Sequence, residues 1–297
     1  MRPLDPILVV HLFPEERAAL LDLLSSLTPA DWERPTVCPG WSIKDIAAHL
    51  LGDDLGRLSW GRDSFHGGFF EPAAGSTDPE AVQAELTAFI NRQNEDWVAA
   101  ARRLSHRVVV ELLAVSGRLS QQHFETLNVF ETGGPVHWAG PDPAPVWLDI
   151  AREFSERWLH QAQIRDALGT HHLAYPRLYI PLIDTLARAL PHSMRRASAP
   201  AGAHVVVTVS GLPPDSAIDG FERPAGDLVY SLFCDGVRWW LCKPADQPAG
   251  AEVRLDGETA WRLFSKGISR DEAIARSTVD GDLALATKIF DTVSILA

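Results

Sequence analysis

Between Arg196 and Val205 the hydrophobic period of this 297-residue chain changes from helical to extended, which requires a helical part followed by a part with a sheet. Upstream, Leu20, Leu21, Leu23, Leu24 and Leu27 form one face of a helix over 13–27, opened by Pro14 in its first turn. A short turn of helix follows Thr28, and longer helices are expected over 42–59, 78–104, 107–129, 144–168 and 178–196. Downstream, 205–210, 228–233, 237–242 and 252–255 alternate as strands do, with Asp235-Gly236 as the turn between the second and third. Helices are expected again over 257–264, 270–275 and 283–295. The Ser198-Ala199-Pro200-Ala201-Gly202 segment marks the boundary, giving domains 1–199 and 200–297 and an α+β fold class.

Composition narrows the function. At 46% hydrophobic and 22% charged the chain has ample material for a core in each part, and its net charge of -12 with no basic run argues against a nucleic-acid partner. Cys38, Cys234 and Cys242 lack paired metal spacing and read as reduced thiols. The first residues, MRPLDPILVVHLFPEE, have an apolar run broken by His11 and Pro14 and no small-residue cleavage site, which is neither a secretory signal nor a membrane span. The expected location is therefore cytoplasmic. Two segments, 60–76 and 135–145, lack periodicity and read as irregular loops.

The residues that bear chemistry lie on two of the expected helices. In TVCPGWSIKDIAAHLLGDD, Pro39-Gly40 makes a turn and Ser42 with Asp45 forms a capping box, so a helix starts near Ile43. His49 lies about two turns inside it, beside the Ile46 and Leu50 stripe. Such a histidine is either a core residue bonded to a carbonyl or a ligand. In AREFSERWLHQAQIRDALG, Glu156 and His160 stand at i, i+4 on one helix face, close enough to share an ion or merely to decorate a solvated surface. Gly169 supplies the left-handed cap of that helix. Two imidazoles and a carboxylate are the ligand set of a catalytic zinc site with an open fourth position. Asp53 and Arg57 share the face of His49. Asp53 could orient His49 or transfer a proton and Arg57 could bind a substrate carboxylate, or the two could simply pair with each other. Cys38, before a proline, reads as a small buried residue more than a nucleophile, Trp41 as packing for the turn, and His171-His172 as an exposed loop pair.

Trp32, Pro35-Thr36, Cys38-Pro39-Gly40-Trp41-Ser42, Ala48-His49-Leu50, Glu156 and His160 together resemble the DinB-like metal-binding four-helix bundles, and more narrowly the mycothiol-dependent maleylpyruvate isomerases. Glu252-Val253-Arg254-Leu255, Trp261-Arg262-Leu263-Phe264 and Val279-Asp280-Gly281-Asp282 resemble the smaller sterol-carrier-like α/β domain that follows the bundle in many relatives. That domain is expected to buttress the bundle and cover the metal cleft, with a lipid-binding tunnel as the alternative. The resemblance implies that His49, Glu156 and His160 bind a divalent metal, taken as zinc. It further implies that mycothiol, or bacillithiol in related S-transferases, acts as cosubstrate. In the isomerases a metal-bound thiolate adds to maleylpyruvate, the new single bond rotates, and elimination releases fumarylpyruvate. A zinc ion with these ligands keeps a charge near +1 and favours an anionic fourth ligand, and with no cysteine in the implied set the sulfur would come from a small-molecule thiol. The expected partners are that thiol and an electrophilic substrate, with no nucleic acid and no membrane. Isomerisation and S-transfer begin with the same addition, a hydrolase using zinc-activated water is the alternative on this scaffold, and a non-catalytic metal-binding or regulatory protein is a third reading.

Overall fold

The computed structural model describes residues 2–68, 70, 79–211 and 226–295. They divide into two compact units, one made of Leu8–Thr132 and Pro145–Leu173, the other of Gly133–Ala144 and Ala174–Ile295 with the N-terminal residues up to Ile7. The fold is α+β, with the helices N-terminal and the sheet C-terminal.

The first unit holds α1 (Phe13–Ser26), α2 (Pro29–Trp32), α3 (Ile43–Arg57), α4 (Pro79–Ala101), α5 (His106–Thr126) and α6 (Val146–Leu168). Helices α1, α5, α3 and α6 neighbour one another in that cyclic order and form a four-helix bundle, with α4 laid on α3. Their starts are set locally. Ser42 and Asp45 exchange hydrogen bonds as a capping box at α3, and Thr28 and Asp31 do the same at α2. Gly169, at φ 68°, closes α6 in the left-handed conformation. Leu20, Leu24, Ile46, Leu50, Leu113 and Ile164 fill the centre, each fully buried or nearly so, and burial of such a side chain contributes about 1.5–3 kcal/mol. At its end α3 passes into a π turn, Leu58–Arg62, which takes up the beginning of the loop expected from residue 60. The rest of that loop at 69 and 71–76, and the expected start of the third helix at Asp78, lie outside the described residues.

Two short strands, β1 (Thr132–Pro135) and β2 (Pro143–Pro145), stand where an irregular segment was expected, their glycines and prolines having masked any alternation. The second unit contains α7 (Pro176–Ala187) and α8 (Leu190–Ser193), then β3 (His204–Ser210), β4 (Leu228–Cys234), β5 (Trp239–Cys242), β6 (Ala251–Asp256), α9 (Gly257–Phe264), α10 (Arg270–Ala275), β7 (Thr278–Gly281) and α11 (Leu283–Ala286). The sheet order is β5-β4-β3-β6-β7, with β3 and β6 parallel and every other pair antiparallel. Central β3 is buried along most of its length, whereas β6 alternates buried Ala251, Val253 and Leu255 with exposed Glu252, Arg254 and Asp256.

Two expectations for this unit are corrected, and one strand is added to them. The helix expected over 178–196 stops at Ala187 and restarts at Leu190, because Pro191 has no N–H to give and its ring would strike the preceding turn. The helix expected over 283–295 ends at Ala286 and continues only as a 3-10 turn, since the Ser294 N–H donates to Phe264 O at 2.8 Å and its hydroxyl to Leu186 O at 2.7 Å, which pulls the backbone out of the helix. Thr278–Gly281 is a strand that its short length concealed. The expected break lies at 199/200, whereas the compact unit that holds the sheet also takes in residues 174–199, Gly133–Ala144 and the N-terminal residues up to Ile7; within it α7 lies against α9, and Tyr230 on β4 donates to Asp184 at 2.5 Å. Among the described residues no helix is long and apolar enough to cross a membrane.

Candidate metal centre

The capping box fixes where α3 begins, and thereby which way His49 points. His49 is only 5% exposed, and across the bundle interior its imidazole meets α6, where Glu156 and His160 project from successive turns. His49 Nε2 lies 3.0 Å from His160 Nε2 and 3.8 Å from Glu156 Oε1, and His160 Nε2 lies 3.0 Å from Glu156 Oε1. The three residues form one cluster able to hold a metal ion. Trp41, from the turn that precedes α3, packs its ring against His49 with centroids 5.2 Å apart.

Asp53, one turn after His49, directs Oδ2 at the same Nε2 atom from 3.3 Å. It therefore flanks the cluster on the ligand side of the ring and does not sit behind it. Arg57 turns elsewhere: its Nη2 donates to Asp149 Oδ2 at 2.7 Å and to Glu153 Oε1 at 2.8 Å, both on α6. The alternative Asp53 to Arg57 pair gives way to these partners, and a substrate carboxylate would have to compete with two acids for this guanidinium. Cys38 is partly buried, and burial pushes its thiol up, away from the reactive thiolate. His171 is exposed, whereas His172 is bound to Asp166 through Nε2 at 2.7 Å.

The electrostatics of the cluster are those of a cation site. Burial disfavours charge on His49, but the Asp53 and Glu156 carboxylates outweigh it and hold the imidazole above its ordinary range. Burial likewise opposes ionisation of Glu156, yet the hydrogen bonds and charge that His160 and His49 bring when their rings are protonated keep its carboxyl well below the usual carboxylate range. Burial pushes Asp53 up; His49 offsets part of this, and Glu156 and Glu153 add to it.

Two observations test whether a metal fits. Ligands about 2.1 Å from a tetrahedral ion are about 3.4 Å from one another, and the three separations here, 3.0, 3.0 and 3.8 Å, bracket that edge. In addition, the Nδ1–H of His160 donates to Gln163 Oε1 at 2.8 Å, which in the neutral ring leaves Nε2 as a lone pair facing a carboxylate oxygen. Two acceptors at hydrogen-bond distance require a proton or a cation between them. The donor set fits a divalent ion.

The sequence model of the mycothiol maleylpyruvate isomerase N-terminal domain matches residues 13–165. The chain belongs to that family. The matched span takes in α1 through most of α6 and includes His49, Glu156 and His160. Two uncharacterised proteins of Mycobacterium tuberculosis, from strains CDC 1551 / Oshkosh and H37Rv, are each 31% identical to the chain over 159 residues, 53% of this chain and 56% of theirs. The chain thus spans little more than half the length of these curated relatives. Crystal structures of the mycothiol-dependent maleylpyruvate isomerase and of a histidine-to-alanine mutant of it match over 86% of this chain and 86% of theirs, at 12% identity and TM-scores of 0.47 and 0.46.

Within this mycothiol maleylpyruvate isomerase family domain, sequence reading missed the polar core behind the cluster. Asp54, with no exposed surface, accepts from Arg17 Nη1 at 2.8 Å and Nη2 at 3.1 Å, from Arg157 Nη2 at 2.7 Å and from Ser116 Oγ at 2.7 Å. Arg157 also donates to Glu153 Oε2 at 2.8 Å, and Glu153 takes Arg57 and Arg152 on its other oxygen. Burial opposes the charge on Asp54 and on Glu153, but their arginine partners hold both carboxyls below the ordinary range. The only sequence signal was charge placed among apolar neighbours on α1, α3 and α6, which a solvated helix face also shows.

Proposed function

We propose that the chain is a metal-dependent enzyme that uses a low-molecular-weight thiol, mycothiol or bacillithiol, to attack an electrophile, with isomerisation of maleylpyruvate or S-transfer as the reaction. The observation that carries this reading is the convergence of His49 Nε2, His160 Nε2 and Glu156 Oε1 inside the family domain. These three side chains would hold the divalent ion, which we take to be zinc. When bound, such an ion supplies a Lewis acid that lowers the pKa of a thiol in its open position.

The chain's own groups supply the rest. With a divalent ion bound, the neutral nitrogens of His49 and His160 and the single negative charge of Glu156 would leave the set a charge near +1, which attracts an anionic sulfur. Asp53 Oδ2, beside His49 Nε2, is the carboxylate we assign to accept the thiol proton and, in the isomerisation, to return it to the departing sulfur at elimination. Trp41 shields the outer side of the His49 ring. Arg57 anchors α3 to α6 through Asp149 and Glu153, and its part in the reaction is to keep Asp53 and His49 facing Glu156.

The test is metal analysis of the purified protein followed by a thiol panel. About one divalent ion per chain, lost in His49→Ala and in Glu156→Ala, with turnover of maleylpyruvate or a generic electrophile only when mycothiol or bacillithiol is added, supports the reading. Turnover that persists without thiol would replace it with hydrolysis, and a wild-type chain that takes up no metal would refute it.

A further inference from the structure

We infer that Gln163 is a positioning residue that selects the tautomer of His160, and that Cys38 holds Gln163 in the orientation this requires. The inference rests on the metal-site reading above and deepens it. Gln163 follows His160 by one turn of α6, and its Oε1 receives two donors, the Nδ1–H of His160 at 2.8 Å and the Cys38 thiol at 3.3 Å. An amide carbonyl oxygen has two lone pairs and no proton. With both lone pairs taken, the amide is fixed oxygen-first toward the imidazole, and in the neutral ring the one proton of His160 is fixed on Nδ1.

The consequence falls on the other ring nitrogen. Nε2 of His160 is the atom 3.0 Å from both His49 Nε2 and Glu156 Oε1, so it must be free of its proton to act as a ligand. An imidazole that carries its proton on Nδ1 has already met that condition. Without the acceptor the ring would place its proton on Nε2, against the Glu156 carboxylate, and a metal would have to displace it first. Outer partners of this kind change metal affinity by about 10–100-fold. The link also gives a task to the turn before α3. Cys38 reaches His160 through Gln163, and Trp41 in the same turn packs on His49, so one short segment steadies both imidazoles from outside.

The experiment measures zinc affinity by competition with a chromophoric chelator, and the thermal midpoint of the metal-free protein, for the wild type, Gln163→Leu, Gln163→Glu, Cys38→Ser and Cys38→Ala. Gln163→Leu keeps the volume and removes the acceptor; its affinity should fall at least 10-fold while the metal-free midpoint stays within a few degrees. Gln163→Glu restores an acceptor and should bind at least as tightly as the wild type. Cys38→Ser keeps a donor to Oε1 and should match the wild type, with Cys38→Ala a few-fold weaker. Equal affinities for the wild type and Gln163→Leu would overturn the inference while leaving the metal site intact. Equal losses in the Leu and Glu variants would also overturn it, by showing that Gln163 acts through packing. A wild-type chain without zinc affinity would overturn both this inference and the metal site.

Discussion

Replacing Asp54 with asparagine should be among the most damaging conservative changes in the bundle. The wild-type carboxylate has no exposed surface and accepts two hydrogen bonds from Arg17, one from Arg157 and one from Ser116. Asparagine keeps one acceptor but turns an NH2 toward a guanidinium, donor against donor. Arg157 retains Glu153, whereas Arg17 is left with the Leu113 carbonyl at 2.9 Å. Removing one partner from a buried ion pair costs about 3–5 kcal/mol, a large share of the roughly 5–15 kcal/mol that holds a domain folded. At m-values of about 2–3 kcal/mol/M the urea midpoint should fall by roughly 1–2.5 M. The assay is urea unfolding followed by far-ultraviolet circular dichroism at pH 7, with Ser116→Ala, which removes a neutral donor worth about 1 kcal/mol, as the control. The penalty should also depend on pH. Because Arg17 and Arg157 hold the folded pKa of Asp54 below its unfolded value of about 3.9, its contribution is present above that value and lost as pH falls through the folded one. The gap between wild type and variant should therefore close in acid. A loss below about 1 kcal/mol at pH 7, or a gap that does not change in acid, would refute this account of the polar core.

Gly52→Ala sets helix propensity against sterics: alanine should gain about 1 kcal/mol in a helix interior, but its Cβ would stand 2.6 Å from the Trp97 ring. Displacing that ring also endangers its hydrogen bond to Ala48 O at 2.7 Å, so a net loss of about 1–2 kcal/mol is expected in thermal or urea unfolding, and a gain would contradict the packing of α4 on α3. Burial, only partly offset by Arg17 and Arg157, holds the Glu16 carboxyl above its ordinary range, so wild-type stability should decline as pH rises from the unfolded carboxylate value of about 4.3 through the higher folded one. Glu16→Gln keeps the oxygen that accepts from Gln161 at 2.9 Å and should abolish that slope; a pH series of urea midpoints in which both proteins decline alike would be contrary. In the sheet unit, Asp256 accepts from the Thr259 N–H at 2.7 Å and the Thr259 hydroxyl at 2.8 Å, and Asp256→Ala should cost about 1 kcal/mol in unfolding measurements as an N-cap is lost.

What sequence could reveal of this protein follows the range over which each feature is determined. The Ser42 and Asp45 box, the Thr28 start, the Gly169 cap and the Asp235-Gly236 turn are settled by residues within four positions of one another, and each stands where local chemistry puts it. Glu156 and His160 face the same way because they lie on one helix. Whether His49 meets them depends on how α3 packs on α6, which no local pattern contains; a family resemblance supplied that pairing, and the structure brings the three together. Arg57 shows the limit of reasoning from a helical face. Its spacing puts it on the face of α3 that carries His49 and Asp53, but two acids on another helix decide where its guanidinium goes. Gln163 stood in plain view one turn after His160, with nothing in its sequence context to separate it from a surface glutamine.

Asp53 and Asp54 show how the site and the core depend on each other. Adjacent residues on a helix point about 100° apart, and here one carboxylate flanks His49 while the other is sealed between Arg17 and Arg157. On α6 the same division recurs, with Glu153 and Arg157 in the ion network and Glu156 and His160 in the cluster. Rotating either helix to improve one set would misplace the other. The Asp54 to Arg157 and Arg57 to Glu153 pairs therefore fix the rotation of α3 against α6 in a way that interchangeable apolar contacts would not, and a distance of 3.0 Å between two imidazole nitrogens from separate helices demands a fixed rotation. The ion network can then be retained although its burial is costly, because it sets the geometry of the cluster beside it. Replacing Asp54, Arg157 and Arg17 together with well-packed apolar residues should accordingly preserve stability better than Asp54→Asn does while weakening zinc affinity, since hydrophobic packing can restore the free energy without restoring the alignment.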